Sequence, residues 1–153
     1  MQTNPVKDTF FEVFEELIKE RKQKNISSRE FLEGILEVLR ALRIFLSRKN
    51  ESLPEIEIKL QIPILLASVE AIKVFTKEYL NLSGNGMKLY KTLKELRKKG
   101  EISEIDFYFG LMEVLERQAV YLYEEKVPEE SLRRIIPMFL AFFRYFYHYY
   151  GEI

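Results

Sequence analysis

The chain has 153 residues, with 24 basic and 24 acidic side chains, one histidine and no cysteine. That length suits one domain with its own core, and 47% hydrophobic content with 14% aromatic residues excludes disorder. Zero net charge excludes a whole-molecule field that would steer the protein onto nucleic acid or a membrane, so such binding has to come from local clustering. The missing cysteines exclude disulfides, thiolate nucleophiles and Cys-based zinc or iron–sulfur sites.

The opening residues, MQTNPVKDTFFEVFEEL, lack a charged stretch followed by an apolar one, and so do not read as a secretory signal. The longest apolar runs, Ile62–Ala67 and Ile135–Phe143, fall far short of the roughly 18 residues of a spanning helix. A cytoplasmic protein with no membrane partner is expected. Abundant Glu, Lys, Leu and Ile without Cys also suits a thermophile.

In chain order, Pro5 suits a helix start, and Val6, Phe10, Val13, Phe14, Leu17 and Ile18 recur at helical spacing to about Lys24. The basic end of this helix, Lys19, Arg21, Lys22 and Lys24, complements its macrodipole. Ser27 and Glu30 form a capping box for a second helix, whose apolar stripe is Phe31, Ile35, Val38, Leu39, Leu42, Phe45 and Leu46. Asn50 and Ser52 break it. In PEIEIKLQI the apolar residues Ile56, Ile58, Leu60 and Ile62 alternate, which suggests a strand. One strand without a partner makes no sheet, so the stretch reads as a helical turn or extended lead-in, with Pro63 opening or kinking a third helix from Ile64 to about Leu80.

Residues 81–86, NLSGNG, carry the strongest loop signal and are the best candidate for a flexible boundary. A short fourth helix, Met87–Lys99, stops at Gly100. Ser103 caps a fifth, with Ile105, Phe109, Met112, Leu115, Ala119 and Leu122 as its stripe, and Val127 and Pro128 precede the last. The last helix contains MFLAFFRYFYHYY, in which eight of the thirteen residues from Met138 to Tyr150 are Phe or Tyr. Leu132, Ile135, Ile136, Phe139, Phe143, Phe146 and Tyr150 make one stripe; Met138, Phe142, Tyr145 and Tyr149 make a second beside it. Only Arg134, Ala141, Arg144 and His148 form a polar strip. The expectation is an all-α, single-domain bundle of five to six helices spanning residues 1–153, with an aromatic-rich central C-terminal helix.

Few residues carry chemistry. No P-loop, GxGxxG fingerprint or nucleophile elbow occurs. Tyr145 precedes His148 by three, so the Glu-x-x-His pair of a di-iron bundle is absent and no metal or cofactor is expected. Arg144 and His148 invite comparison with helical ribonucleases of the HEPN class, which place an Arg and a His at wider spacing on a late helix. Here only Tyr145, Phe146 and Tyr147 intervene, and a wet edge on a buried helix explains both residues without an enzyme.

A stronger signal is the run Lys88, Lys91, Lys94, Arg97, Lys98 and Lys99, interrupted by Glu95 alone. Its plainer reading is a solvated helix face. Its functional reading is a ridge that tracks phosphates, because lysines three and four apart align along one face.

The segment FLAFFRYFYHYYGE resembles the C-terminal helix of the small subunit of type III CRISPR effector complexes, an aromatic helix ending in Tyr-Gly. Tyr147, His148, Tyr150 and Gly151 match, with Phe139 and Phe143 as the apolar register. SSREFLEGILEVLR and IEIKLQIPILLASVEA resemble an early capped helix and a central helix of the same family. The resemblance implies a non-catalytic helical subunit of an antiviral-defence ribonucleoprotein that contacts guide RNA and target strand through basic residues and assembles with other subunits. Arg144 and His148 join the six basic residues as expected nucleic-acid contacts. The alternative from the residues themselves is a helical protein-interaction module or homo-oligomer whose partner covers Met138, Phe142, Tyr145 and Tyr149.

Overall fold

The computed structural model describes the backbone of residues 5–48, 55–80, 84–125 and 127–151, and the side chains of residues 12–13, 15–44, 58–78, 84–125 and 127–140. Six helices follow in order: α1 (Pro5–Lys22), α2 (Ser28–Arg48), α3 (Glu55–Leu80), α4 (Gly86–Lys98), α5 (Glu104–Glu124) and α6 (Glu129–Gly151). The all-α bundle expected from the sequence is thus the architecture found, with no strand among the described residues.

Local chemistry sets the helix ends. The Ser27 hydroxyl accepts from the Glu30 backbone N–H at 3.1 Å, and the Glu30 carboxylate accepts from the Ser27 N–H at 3.1 Å, so the predicted capping box forms in full. Ser103 accepts from the Asp106 N–H at 3.2 Å and opens α5. Gly100 has φ +70°, and its N–H reaches the Arg97 carbonyl at 3.1 Å while that of Glu101 reaches Leu96 at 2.9 Å. Only that left-handed backbone requires glycine there, since a Cβ would meet nothing.

α3 starts two turns earlier than expected. Glu55 to Ile62 is regular helix, and Pro63 lies inside it on the exposed side. The alternation that suggested a strand has a helical cause: residues two apart on a helix point about 200° apart. Ile58 and Ile62 are buried, while Leu60 between them is 49% exposed.

α5 packs against α2, α3 and α4, and α6 packs against α3 and α2. α1 rests on α2. Because α5 is covered on three sides, its buried set extends well beyond the predicted stripe to Phe107, Tyr108, Leu111, Val114 and Gln118, whereas Ile105 and Phe109 are only half-buried. The C-terminal helix shares the core with it through Leu132, Ile135, Ile136, Phe139 and Leu140. Buried polar groups are all partnered among the described residues. The Tyr108 hydroxyl donates to Gln61 across α5 and α3, and Thr76 and Ser68 return their hydroxyls to the carbonyls of Ile72 and Ile64. No described helix is long and apolar enough to cross a membrane.

Candidate nucleic-acid interface

The basic ridge belongs to α4, and its position is fixed at both ends. At the start, Asn85 offers no side-chain cap. The buried amide of Gln118 on α5 does that work instead, its carbonyl accepting from the Gly86 N–H at 3.1 Å. A Cβ on Gly84 would lie 2.4 Å from Gln118 Oε1, and one on Gly86 would lie 2.7 Å from it. Gly84 also has φ +79°. Residues 84–86 of the glycine-rich loop are therefore docked on α5; residues 81–83 lie outside the described residues.

Farther along α4, Tyr90 and Leu93 are buried. The Tyr90 hydroxyl donates to Glu70 of α3 at 2.5 Å. Burial, and then that carboxylate, raise the Tyr90 pKa, while the same hydrogen bond holds Glu70 below its ordinary value. This bond ties the inner face of α4 to α3 and leaves its outer face to the lysines.

The six cations are all exposed, but their surroundings divide them. Lys94 Nζ lies 3.4 Å from Glu70 and 4.6 Å above the Tyr90 ring. Arg97 turns toward α5, 3.6 Å from Glu104 and 4.5 Å above the Phe107 ring. Lys88, Lys91, Lys98 and Lys99 make no ion pair with a described residue. At 100° per residue these four fall within an arc of about 100° and along roughly 16 Å of helix. Glu95 falls in the same arc. Among the described residues the face therefore carries four cations without an ion pair and one carboxylate.

A groove of about 370 Å³ lies beside this ridge, with Leu89, Leu93 and Phe109 among its apolar lining and Asp106 and Glu113 among its polar lining. Arg43 also lines the groove but is held by Glu116 at 2.9 Å, so the two carboxylates dominate and a strand on this side would follow the outer ridge. The remaining expected contacts divide as follows. Met138 is half-buried against the core. Arg144 and His148, with Phe142, Tyr145 and Tyr149, have side chains outside the described residues. Among the described residues no group of three or more His, Cys, Asp or Glu is placed to hold a metal ion.

The sequence reading missed the outer face of α3. Leu60 and Val74 are 49% and 46% exposed, fourteen residues apart, and Pro63 and Ala67 are exposed between them. At 100° per residue all four lie within about 60° of one another. The detectable signal was the period-two run itself, because alternation inside a helix places apolar residues on opposite faces. Comparison with protein-family models, with curated proteins and with solved structures finds no match to this chain.

Proposed function

We propose that the protein is a non-catalytic helical subunit of a ribonucleoprotein that holds single-stranded nucleic acid by its backbone along α4. The observation that carries this reading is the set of four lysines, none in an ion pair with a described residue, on the outer face of a helix whose inner face is anchored by Gln118 and Glu70. A row of ammonium groups on an anchored helix suits sequence-independent contact with phosphates. The resemblance of FLAFFRYFYHYYGE to the small subunit of type III CRISPR effectors supports the same assignment, with guide RNA and target strand as ligands and other effector subunits as partners.

Four phosphate contacts give a slope of log K against log salt near −2.8 for a single strand, so affinity drops about 50-fold between 50 and 200 mM salt. Fluorescence anisotropy with a labelled oligonucleotide measures this. Changing Lys88, Lys91, Lys98 and Lys99 to Glu abolishes binding without unfolding the protein, because none of the four is buried. Binding that is independent of salt, or unchanged in the quadruple variant, refutes the assignment.

The outer face of α3 favours a second reading, a protein-interaction role. Leu60, Pro63, Ala67 and Val74 present an apolar strip that a partner helix would cover. Such a role is compatible with the first. Leu60→Lys with Val74→Lys keeps the fold and abolishes association with other subunits or with a second copy, read by light scattering and copurification; unchanged assembly in that variant removes this role.

A further inference from the structure

A second concentration of positive charge lies where α1 turns into α2. The macrodipole of α1 accounts for Arg21 and Lys22 in its last turn. It does not account for Lys24, which stands beyond the helix with a left-handed backbone, φ 59°. Nor does it account for Arg133, which lies near the N-terminal end of α6, where a cation is disfavoured. The fold nevertheless gathers all four around one cleft of about 650 Å³, where Glu129 is the only lining carboxylate among the described residues.

The groups already engaged there leave most of this charge unused. Arg21 fastens the turn, donating to Ser28 Oγ at 2.6 Å and to the Ile26 carbonyl at 3.3 Å. Glu129 accepts from the Ser28 backbone N–H at 2.9 and 3.2 Å across 101 residues of sequence. That N–H holds Glu129 below its ordinary carboxylate pKa, so it is ionised at neutral pH. The α2 terminus is thus satisfied by protein and is not itself the attraction. Arg133 lies at the limit of ion pairing with Glu129, 4.0 Å away, and is 65% exposed. Lys22 and Lys24 are exposed and have no ion pair among the described residues. The described residues lining this concave space carry four cations against one carboxylate, with Glu20 and Glu30 held behind the wall by Asn25 and Ser27, so the excess is positive where the field is focused.

We infer that this cleft binds a phosphate-bearing ligand, with Lys22, Lys24 and Arg133 holding the phosphate oxygens and Arg21 shaping the wall. A terminal phosphate, with about two negative charges and three acceptor oxygens, matches the excess better than a single carboxylate does. On the same wall the Asn25 amide is turned to Glu20 and Gln23 and the Ser27 N–H to Glu30, which leaves the Ser27 hydroxyl hydrogen as a neutral donor there. The phosphate comes from a free small molecule or from the end of a nucleic-acid strand. Glu129 opposes either through its charge, so removing that charge while keeping an amide carbonyl for Ser28 strengthens binding.

The test is a titration of the ¹⁵N-labelled full chain with inorganic pyrophosphate, followed at the amides of Lys24, Asn25 and Arg133. Saturable shifts are expected in the wild type, weakened roughly tenfold or more in Lys24→Glu/Arg133→Glu and tightened several-fold in Glu129→Gln. The ridge variant Lys88→Glu/Lys91→Glu retains the shifts, so this site and the α4 ridge stand or fall separately. Shifts absent up to about 10 mM pyrophosphate, unchanged in Lys24→Glu/Arg133→Glu, or confined to α4 overturn the inference. In competition, a 5′-phosphorylated oligonucleotide that displaces pyrophosphate better than its 5′-hydroxyl counterpart identifies a strand end as the source. Equal competition identifies a free small phosphate.

Discussion

Gln118 is the residue on which the placement of α4 turns, and its replacement by Met removes the carbonyl that accepts from Gly86 together with the amide's other contact. Met has similar volume and no carbonyl, so the buried Gly86 N–H loses its acceptor while packing is largely kept. An orphaned buried donor costs about 1–3 kcal/mol. At this chain length each kcal/mol moves the melting temperature by about 2–4 °C, which gives a fall of roughly 4–8 °C for a mid-range loss. Urea unfolding followed by far-ultraviolet circular dichroism measures the free energy, and amide exchange at Met87, Lys88 and Leu89 reports whether the first turn of α4 frays. A double-mutant cycle adds the steric side of the same contact. Gly86→Ala places a Cβ 2.7 Å from Gln118 Oε1, so it destabilises the wild type, and shortening the glutamine to alanine relieves part of that clash. Coupling of about 1 kcal/mol is expected, against the 0.3–0.5 kcal/mol scatter of independent sites. A Gln118→Met protein within about 0.5 kcal/mol of wild type, or strict additivity in the cycle, refutes the reasoning.

Tyr90→Phe tests the tie between α4 and α3 through pH. Glu70 is depressed below 4.5, so its contribution is present above that pH and is lost as pH falls below it; Tyr90 is raised above 10.0, so its contribution is intact below that pH and is lost as pH climbs past it. The stability gap between wild type and Tyr90→Phe is therefore widest between those limits and narrows on both sides, and a gap that stays flat from about pH 4 to 11 contradicts the pairing. Ser27→Ala removes half of the α2 capping box and costs about 1 kcal/mol by urea unfolding; no change would mean that the Glu129 contact to Ser28 suffices alone. Glu116→Gln weakens a carboxylate that Arg40 and Arg43 of α2 grip at 2.8 and 2.9 Å, with an expected loss of about 1 kcal/mol that shrinks in high salt.

What was legible in the sequence was local. The Ser27 and Glu30 box, the Ser103 cap and the Gly100 stop depend on residues within one turn, and each formed as expected. The α2 stripe from Phe31 to Leu42 and the α6 stripe from Leu132 to Phe139 were equally readable, because each helix offers one face to the core. What was not legible depended on partners far along the chain. Six basic residues looked equivalent in the α4 run, yet Glu70 lies 24 residues before Lys94, and Phe107 and Glu104 lie on the next helix beside Arg97. The cleft at the α1–α2 turn was less readable still. Its basic run was explained by the dipole of its own helix, and neither Glu129 nor Arg133 gives any local sign of being brought there.

The first turns of α3, which the sequence left open between a helical turn and an extended lead-in, teach the most about how such a sequence should be taken. Period two is evidence for a strand only when a second strand is available to share its backbone hydrogen bonds. Inside a helix the same period distributes apolar side chains to opposite faces, and two buried faces need two neighbours. α3 has one set in α5 and α6, which cover Ile58, Ile62, Leu65, Val69 and Ile72. Opposite them stand Leu60, Pro63, Ala67 and Val74, and no described helix covers that side. Placing apolar residues on a face that remains wet adds nothing to the stability of the isolated fold, since their transfer from water is never completed. The alternation thus marks two opposite faces of α3, of which the core of this domain covers only one among the described residues.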